Sequence, residues 1–471
     1  MKIDKKYYSL TGSLLVKVLL NIFVIFYIAK KVAVSDFGIF SIAFIISSLI
    51  TLCLDYGFNL KALKLTSSNR NQINKELSSM FLAKVIIMFV LIFCLIGFLS
   101  FSQYNYNTKL IIFILGISSL PNSFGIFFLN NFKIINRFNK EALGYLVQGS
   151  VLVVCLGVME IYNSNSLIHY SLILLLARTF FFLFGLLSFL YSSYFKLYFQ
   201  TFNDAIMSLK TASSYATHLI LGALIVYIDT FILSFLTNFH DVGIYQSGMR
   251  IIMAALLVTV IVSDAFIPEI SRIFKQKTVV AQKLAQLFDF ILVFSFLIVV
   301  TLLFYYESII LLLFSEEYLI LGKYIFYMVA IIFLRYIGVV PGIILTSGNK
   351  QEVRAKAVVY SILCSILLNF ILIPLLGIEG AFIASLISHI LLNAIYIFYA
   401  VRMVKFYKRL SLLFISLMLI ILSSVHILFF HDANNFLFLS ILINIFSLFV
   451  YYQCVVKSRR IVDGGVKKYI K

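Results

Sequence analysis

Apolar segments long enough to cross a bilayer recur from one end of this chain to the other. A helix needs about 20 largely apolar residues to pass through a hydrocarbon core. Such runs stand at 10–30, 38–60, 78–101, 109–131, 142–161, 167–192, 213–236, 243–267, 284–306, 325–346, 357–376, 380–401, 411–430 and 436–455. Of the 471 residues 62% are apolar, more than a soluble fold hides from water. The expected fold is therefore an all-α integral membrane protein of about fourteen helices. Lys2, Lys5 and Lys6 ahead of Leu10 imitate the start of a signal peptide. The apolar run behind them is too long, and no small-x-small cleavage site follows. That segment reads as the first membrane helix.

A net charge of +19 in a soluble protein would point to nucleic acid. Here the basic residues gather in short turns on one side, so no nucleic-acid partner is expected. With the N-terminus in the cytoplasm, Lys61, Lys64, Arg70 and Lys75 lie inside, as do Arg272, Lys275, Lys277, Lys283, Arg402, Lys405, Lys408 and Arg409. The outer turns keep only Lys30, Lys31, Lys109 and Lys323. This asymmetry predicts a multi-pass protein with both termini cytoplasmic. Cys53, Cys94, Cys155, Cys364 and Cys454 all fall inside apolar runs and suggest neither a disulfide framework nor a metal site.

Two short turns resemble each other. "SDFGIF" (35–40) precedes the second predicted helix and "HDVGIY" (240–245) precedes the eighth. Asp36 and Asp241 are expected to cap those helices. Gly38 and Gly243 permit a tight bend or a close backbone approach. Pro121 and Pro341 show the same offset of six helices, and both are expected to kink their helix. The spacing predicts a parallel repeat about an axis along the membrane normal. The expected divisions are an N-terminal six-helix bundle at 1–195, a second at 196–410, and two further helices with a basic cytoplasmic tail at 411–471.

With the repeat in place, the chain resembles the Wzx-type O-antigen and polysaccharide flippases of the MOP exporter superfamily. The resemblance rests on the Gly38 turn, "LDYGFN" (54–59), "DVGIYQSGMR" (241–250), "LFSEEY" (313–318) and "NFILIPLLGIEGAFIASLIS" (369–388). It implies a bacterial inner-membrane protein whose two bundles alternate their opening around a central cavity. The implied substrate is an undecaprenyl-pyrophosphate-linked oligosaccharide, as in lipopolysaccharide assembly. The implied partners are membrane lipid and polysaccharide polymerase or assembly proteins. A cationic triplet of the peptidoglycan-precursor branch has no residue-by-residue counterpart here.

Charges within the apolar runs need a reason, because each costs about 2.5–3.5 kcal/mol at bilayer centre. The basic ones are Lys17, Lys84, Arg178, Arg250 and Arg335; the acids are Asp55, Asp229 and Asp264. Ser13, Lys17 and Asn21 form one polar stripe, and Ser214, His218, Gly222 and Asp229 another. In one reading Lys17, Asn21, Lys84, Arg178, Arg250 and Arg335 line a wet cationic cavity for a pyrophosphate headgroup. In the other, Lys17–Asp55 and Asp229–Arg250 are ion pairs between neighbouring helices, and Lys84 snorkels to the cytoplasmic surface. Arg250 and Asp264, fourteen apart, fall near one helix face. Asp229, Asp264 and His218 could bind a coupling proton or sodium ion; a cofactor and a metal are not expected. A multidrug exporter of the same fold would favour an acidic cavity, whereas here the embedded bases outnumber the acids. A polysaccharide polymerase or glycosyltransferase would call for a larger outer loop than any present, so no enzyme chemistry is expected.

Overall fold

The computed structural model describes residues 20–404, apart from residues 21, 64, 66–68, 136, 138 and 163–165 and the side chain of residue 218. Among the described residues every regular element is helical. They are α1 (residues 22–31), α2 (Val34–Asp55), α3 (Phe58–Leu63), α4 (Arg70–Phe101), α5 (Tyr106–Asn131), α6 (Asn139–Ile161), α7 (Leu167–Leu190) and α8 (Phe202–Leu236). Then come α9 (Phe239–Ala255), α10 (Leu257–Ile273), α11 (Lys277–Leu313), a 3-10 segment at Glu316–Tyr324, α12 (Ile325–Ile337), α13 (Val339–Ser347), α14 (Gln351–Leu376) and α15 (Ile378–Met403). Among the described residues ten helices are long and apolar enough to cross a membrane, or up to 11 if the bent pair α9 and α10 is one span. They meet the expected second to twelfth helices one for one, and the protein is a multi-pass membrane protein. The first expected helix is described only from its middle, and those at 411–430 and 436–455 lie outside the described residues.

Two compact units emerge from the internal contacts, Met1–Gly243 and Ile244–Lys471. The core of the first is rich in phenylalanine. Phe124, Phe127 and Phe128 of α5 pack with Met80 and Ala83 of α4 and with Phe189 and Phe195. The segment after α7 is pinned to α4: the Tyr198 N–H donates to Ser78 Oγ (2.8 Å) and the Lys196 N–H to Asn74 Oδ1 (3.1 Å). α8 then starts earlier than its apolar run suggests, because Thr201 and Asp204 form a capping box. The Thr201 hydroxyl and N–H both bond the Asp204 carboxylate and hold it below the usual carboxylate range, with Lys75 adding its attraction.

The two related turns have one design. In each, the helix begins two residues before the aspartate, at Val34 and Phe239, and the glycine is its fifth residue. Neither aspartate is the cap, contrary to the expectation from sequence. Ala33 precedes α2, and Asn238 caps α9 by accepting the Asp241 N–H at 2.9 Å. The aspartates sit in the first turn, where the helix dipole favours an anion. The glycines are reciprocal. A Cβ on Gly38 would stand 1.9 Å from Phe239 O, and one on Gly243 would stand 2.1 Å from Val34 O. Each glycine therefore lies against the carbonyl of the first residue of the other helix, at a distance only a hydrogen allows.

Candidate functional site

Two embedded cations of the first unit are enclosed by helices rather than open to a cavity. Arg178 of α7 is 6% exposed. Its Nη1 donates to Ser47 Oγ of α2 (2.7 Å) and Ser118 Oγ of α5 (2.6 Å). Lys84 of α4 is fully buried and does not snorkel. Its Nζ donates to Ser123 Oγ (2.7 Å) and Leu54 O (3.3 Å), with Asp55 in electrostatic reach. The "LDYGFN" turn builds this place. Tyr56 and Gly57 take left-handed conformations (φ 45° and 77°) that end α2, and Asp55 Oδ1 accepts the Asn59 N–H (3.3 Å) at the start of α3. A pair of adjacent helices, α2 and α5, thus supplies hydroxyls and carbonyls that replace water around both charges.

Among the described residues of the second unit three membrane spans are interrupted, the ninth at Tyr305 of α11 (φ −120°, ψ 20°), and Arg335 lies beside the breaks of the eighth and the tenth. The eighth span bends by 40° between α9 and α10. There the Ala255 carbonyl accepts the Tyr336 hydroxyl (2.6 Å), while the Thr259 N–H turns to Leu256 O (3.0 Å). The tenth span is interrupted at Gly338, between α12 and α13. Pro341 has no N–H to offer Ile337 O, which accounts for the interruption. Asn393 of α15 covers the last turn of α12. Its Nδ2 donates to Leu334 O (2.8 Å), and a Cβ on Gly338 would meet its Oδ1 at 2.3 Å. Arg335 is half-buried here and, among the described residues, its guanidinium has neither an ion-pair nor a hydrogen-bond partner. Discontinuous membrane helices recur at transporter binding sites, and a charged residue within the membrane marks a functional site by default.

The hairpin of α14 and α15 brings a polar seam to the same place. Gly377, at φ 59°, makes the turn, and Gly380 lies so close to α14 that a Cβ would be 2.3 Å from Leu372 O. From Gly377 the two helices place polar residues at equal steps. Asn369 matches Ser385, Ser365 matches His389, and Ser361 matches Asn393; all six are buried. Within the seam, His389 Nδ1 lies 2.8 Å from Ser385 O, and Asn369 Nδ2 donates to Ser365 O at 2.8 Å. Arg335 acts electrostatically on His389.

The remaining expected site residues fall as follows. Lys17 and Asn21 lie outside the described residues, as does the side chain of His218 in α8. Asp55 is half-buried beside Lys84, so its described cationic neighbour is Lys84. Asp229 is buried in α8 of the first unit, and Arg250 is half-buried in α9 within the second. Arg250 and Asp264, expected near one face of a single helix, lie on two successive helices. The bend at Leu256 separates them, and Asp264 is exposed on α10. His389, Asn393 and Tyr336 were not expected. Their signal was present: polar residues at i, i+4, i+8 in two successive apolar runs mark a face that avoids lipid.

The polysaccharide biosynthesis protein family matches residues 3–274. A search of curated proteins finds no match. The fold is similar to that of the lipid II flippase MurJ in an inward closed conformation, with a TM-score of 0.73 and 17% identity over 97% of this chain and 100% of that one. It is also similar to an inward-facing multidrug resistance MATE transporter of the MOP superfamily, at a TM-score of 0.67 and 11% identity over 83% and 95% of the two chains. A MOP superfamily transporter from Pyrococcus furiosus gives 0.61 and 13%, over 84% and 94%. At such identities the likeness is one of fold. Taken with the sequence match over more than half its length, it shows that this membrane protein, which has the fold of MOP superfamily transporters, belongs to the polysaccharide biosynthesis protein family.

Proposed function

We propose that the protein is a flippase. It moves undecaprenyl-pyrophosphate-linked oligosaccharide units by alternating access from the cytoplasmic to the outer face of the bacterial inner membrane, with both termini in the cytoplasm. The observation that carries this reading is Arg335, an embedded guanidinium without a described partner at two helix breaks. A guanidinium offers a planar fork of donors and a charge that persists, which suits the oxygens of a pyrophosphate. The buried Ser, Asn and His of the adjoining seam offer the neutral hydrogen bonds that accompany such an anion. Family membership supports a role in polysaccharide assembly, and polymerase and assembly proteins are the expected neighbours. A cationic drug would meet repulsion at Arg335, which disfavours multidrug export.

The test is surface polysaccharide in cells that depend on this protein. Arg335→Ala is expected to abolish it while the protein stays at normal abundance in the membrane. Arg335→Lys, which keeps the charge and loses the fork, is expected to retain a reduced level. Wild-type polysaccharide from Arg335→Ala would remove this residue from the transport path.

A further inference from the structure

We propose that His389 takes up a proton when an anionic headgroup binds at Arg335, so that proton and anion are linked ligands of one site. The proposal rests on the reading of Arg335 as a phosphate site and goes beyond it by assigning a second, cooperating ligand.

The tautomer follows from the geometry. His389 Nδ1 lies 2.8 Å from Ser385 O. A carbonyl only accepts, so Nδ1 carries the hydrogen and Nε2 holds the basic lone pair. The ring is buried at 7% exposure. Asn393, one turn further along α15, is bonded to Leu334 O, which ties the helix to the residue before Arg335. From α12 the titratable groups near this end are Arg335 and Tyr336, the latter committed to Ala255 O. From α14 the residue matching His389 is Ser365, with Cys364 beside it. α13 carries no titratable group. No carboxylate is present at this level of α12, α13, α14 or α15; α9, which also packs on α15, adds the cation Arg250, and Arg335 is the charge that acts on the ring.

A pyrophosphate linker brings more negative charge than one guanidinium neutralises. A proton on Nε2 supplies the balance with no other change in the protein: imidazole and a proton from water give imidazolium, and departure of the anion releases the proton. Opposite charges at adjacent places in a medium of low polarity stabilise each other strongly. Ser361 Oγ and Ser385 Oγ are buried without a hydrogen-bond partner among the described residues. They stand in the layers on either side of that of His389. Each hydroxyl can donate and accept, as a proton relay requires. By reciprocity, an anion that favours the proton is itself bound more tightly when the proton is present.

The experiment uses the full-length protein in lipid nanodiscs and a short-chain polyprenyl diphospho-N-acetylglucosamine, whose phosphates each carry one ester and one anhydride bond and so hold one strongly acidic oxygen apiece. Calorimetric titration near neutral pH, in two buffers of different ionisation enthalpy, counts the protons taken up on binding. Wild type is expected to take up as much as one proton per headgroup. Its affinity is expected to fall as pH rises between about 5 and 8, by up to about tenfold per unit. His389→Gln is expected to bind the probe with no uptake and a flat pH profile; His389→Asn serves if the glutamine variant does not fold. Binding by wild type without uptake, or uptake undiminished in both variants, overturns the linkage and leaves the phosphate reading standing. No binding by wild type removes the phosphate reading, and the linkage with it.

Discussion

Lys84 and Arg178 show what a charge inside lipid requires of its neighbours. Neither reaches water, and each is surrounded by oxygens drawn from α2 and α5. A hydrogen bond to a charged group contributes about 1.5–3 kcal/mol when buried. Ser118→Ala leaves Arg178 with Ser47 and is expected to lower stability by about that amount, read as an earlier unfolding midpoint in detergent. An unchanged midpoint would show that the guanidinium finds other partners. For Lys84 the informative measurement is a double-mutant cycle with Asp55. Lys84→Met keeps the volume but leaves the carboxylate without its neighbouring cation. Adding Asp55→Asn should recover part of the loss, with a coupling of about 0.5–3 kcal/mol. Strict additivity would show that the two charges do not stabilise each other.

At the scale of elements, the glycines separate packing from mere flexibility. Gly38→Ala and Gly243→Ala each drive a methyl group into a backbone carbonyl that has no rotamer to yield. Each is expected to destabilise by about 1–3 kcal/mol or more. Gly97→Ala and Gly157→Ala, where a Cβ meets nothing within 4 Å, should be neutral or slightly stabilising, because alanine is the better helix former. Equal melting temperatures across all four variants would contradict the close approach of Gly38 to Phe239 and of Gly243 to Val34. These elements also show what the sequence could disclose. The spans were legible because continuous apolar runs leave few alternatives in lipid. The equivalence of the two Asp-x-Gly turns was legible too, though their aspartates were read as caps when each helix starts two residues earlier. The bend at Leu256 was not legible. Its cause is a hydroxyl on another helix, Tyr336, and the proline of α10, Pro268, stands away from the bend. The early start of α8 is encoded by Thr201 and Asp204, which stand ahead of the apolar run. Arg335 was singled out from charge alone. Its companions His389 and Asn393 required the α14–α15 register, which becomes plain only once Gly377 is known to be the turn.

For the whole molecule, the asymmetry of basic residues predicts which loops face which side. Single cysteines placed at Lys283 and Lys323, in a chain stripped of its own, are expected to differ toward a membrane-impermeant thiol reagent applied to intact cells. The Lys323 position should react and the Lys283 position should not; the reverse pattern would invert the proposed orientation. The central claim is that this fold carries a lipid-linked anionic sugar across the bilayer and that Arg335 is part of the path. Its most direct measurement is flipping in proteoliposomes, followed as the fraction of a polyprenyl-diphosphate-linked oligosaccharide that becomes accessible to an external glycosidase or lectin. Wild-type protein is expected to expose the inner-leaflet pool over time, and Arg335→Ala, reconstituted at equal density, to leave it protected. Protection of the pool in the presence of wild-type protein, or equal exposure by the variant, would contradict the account.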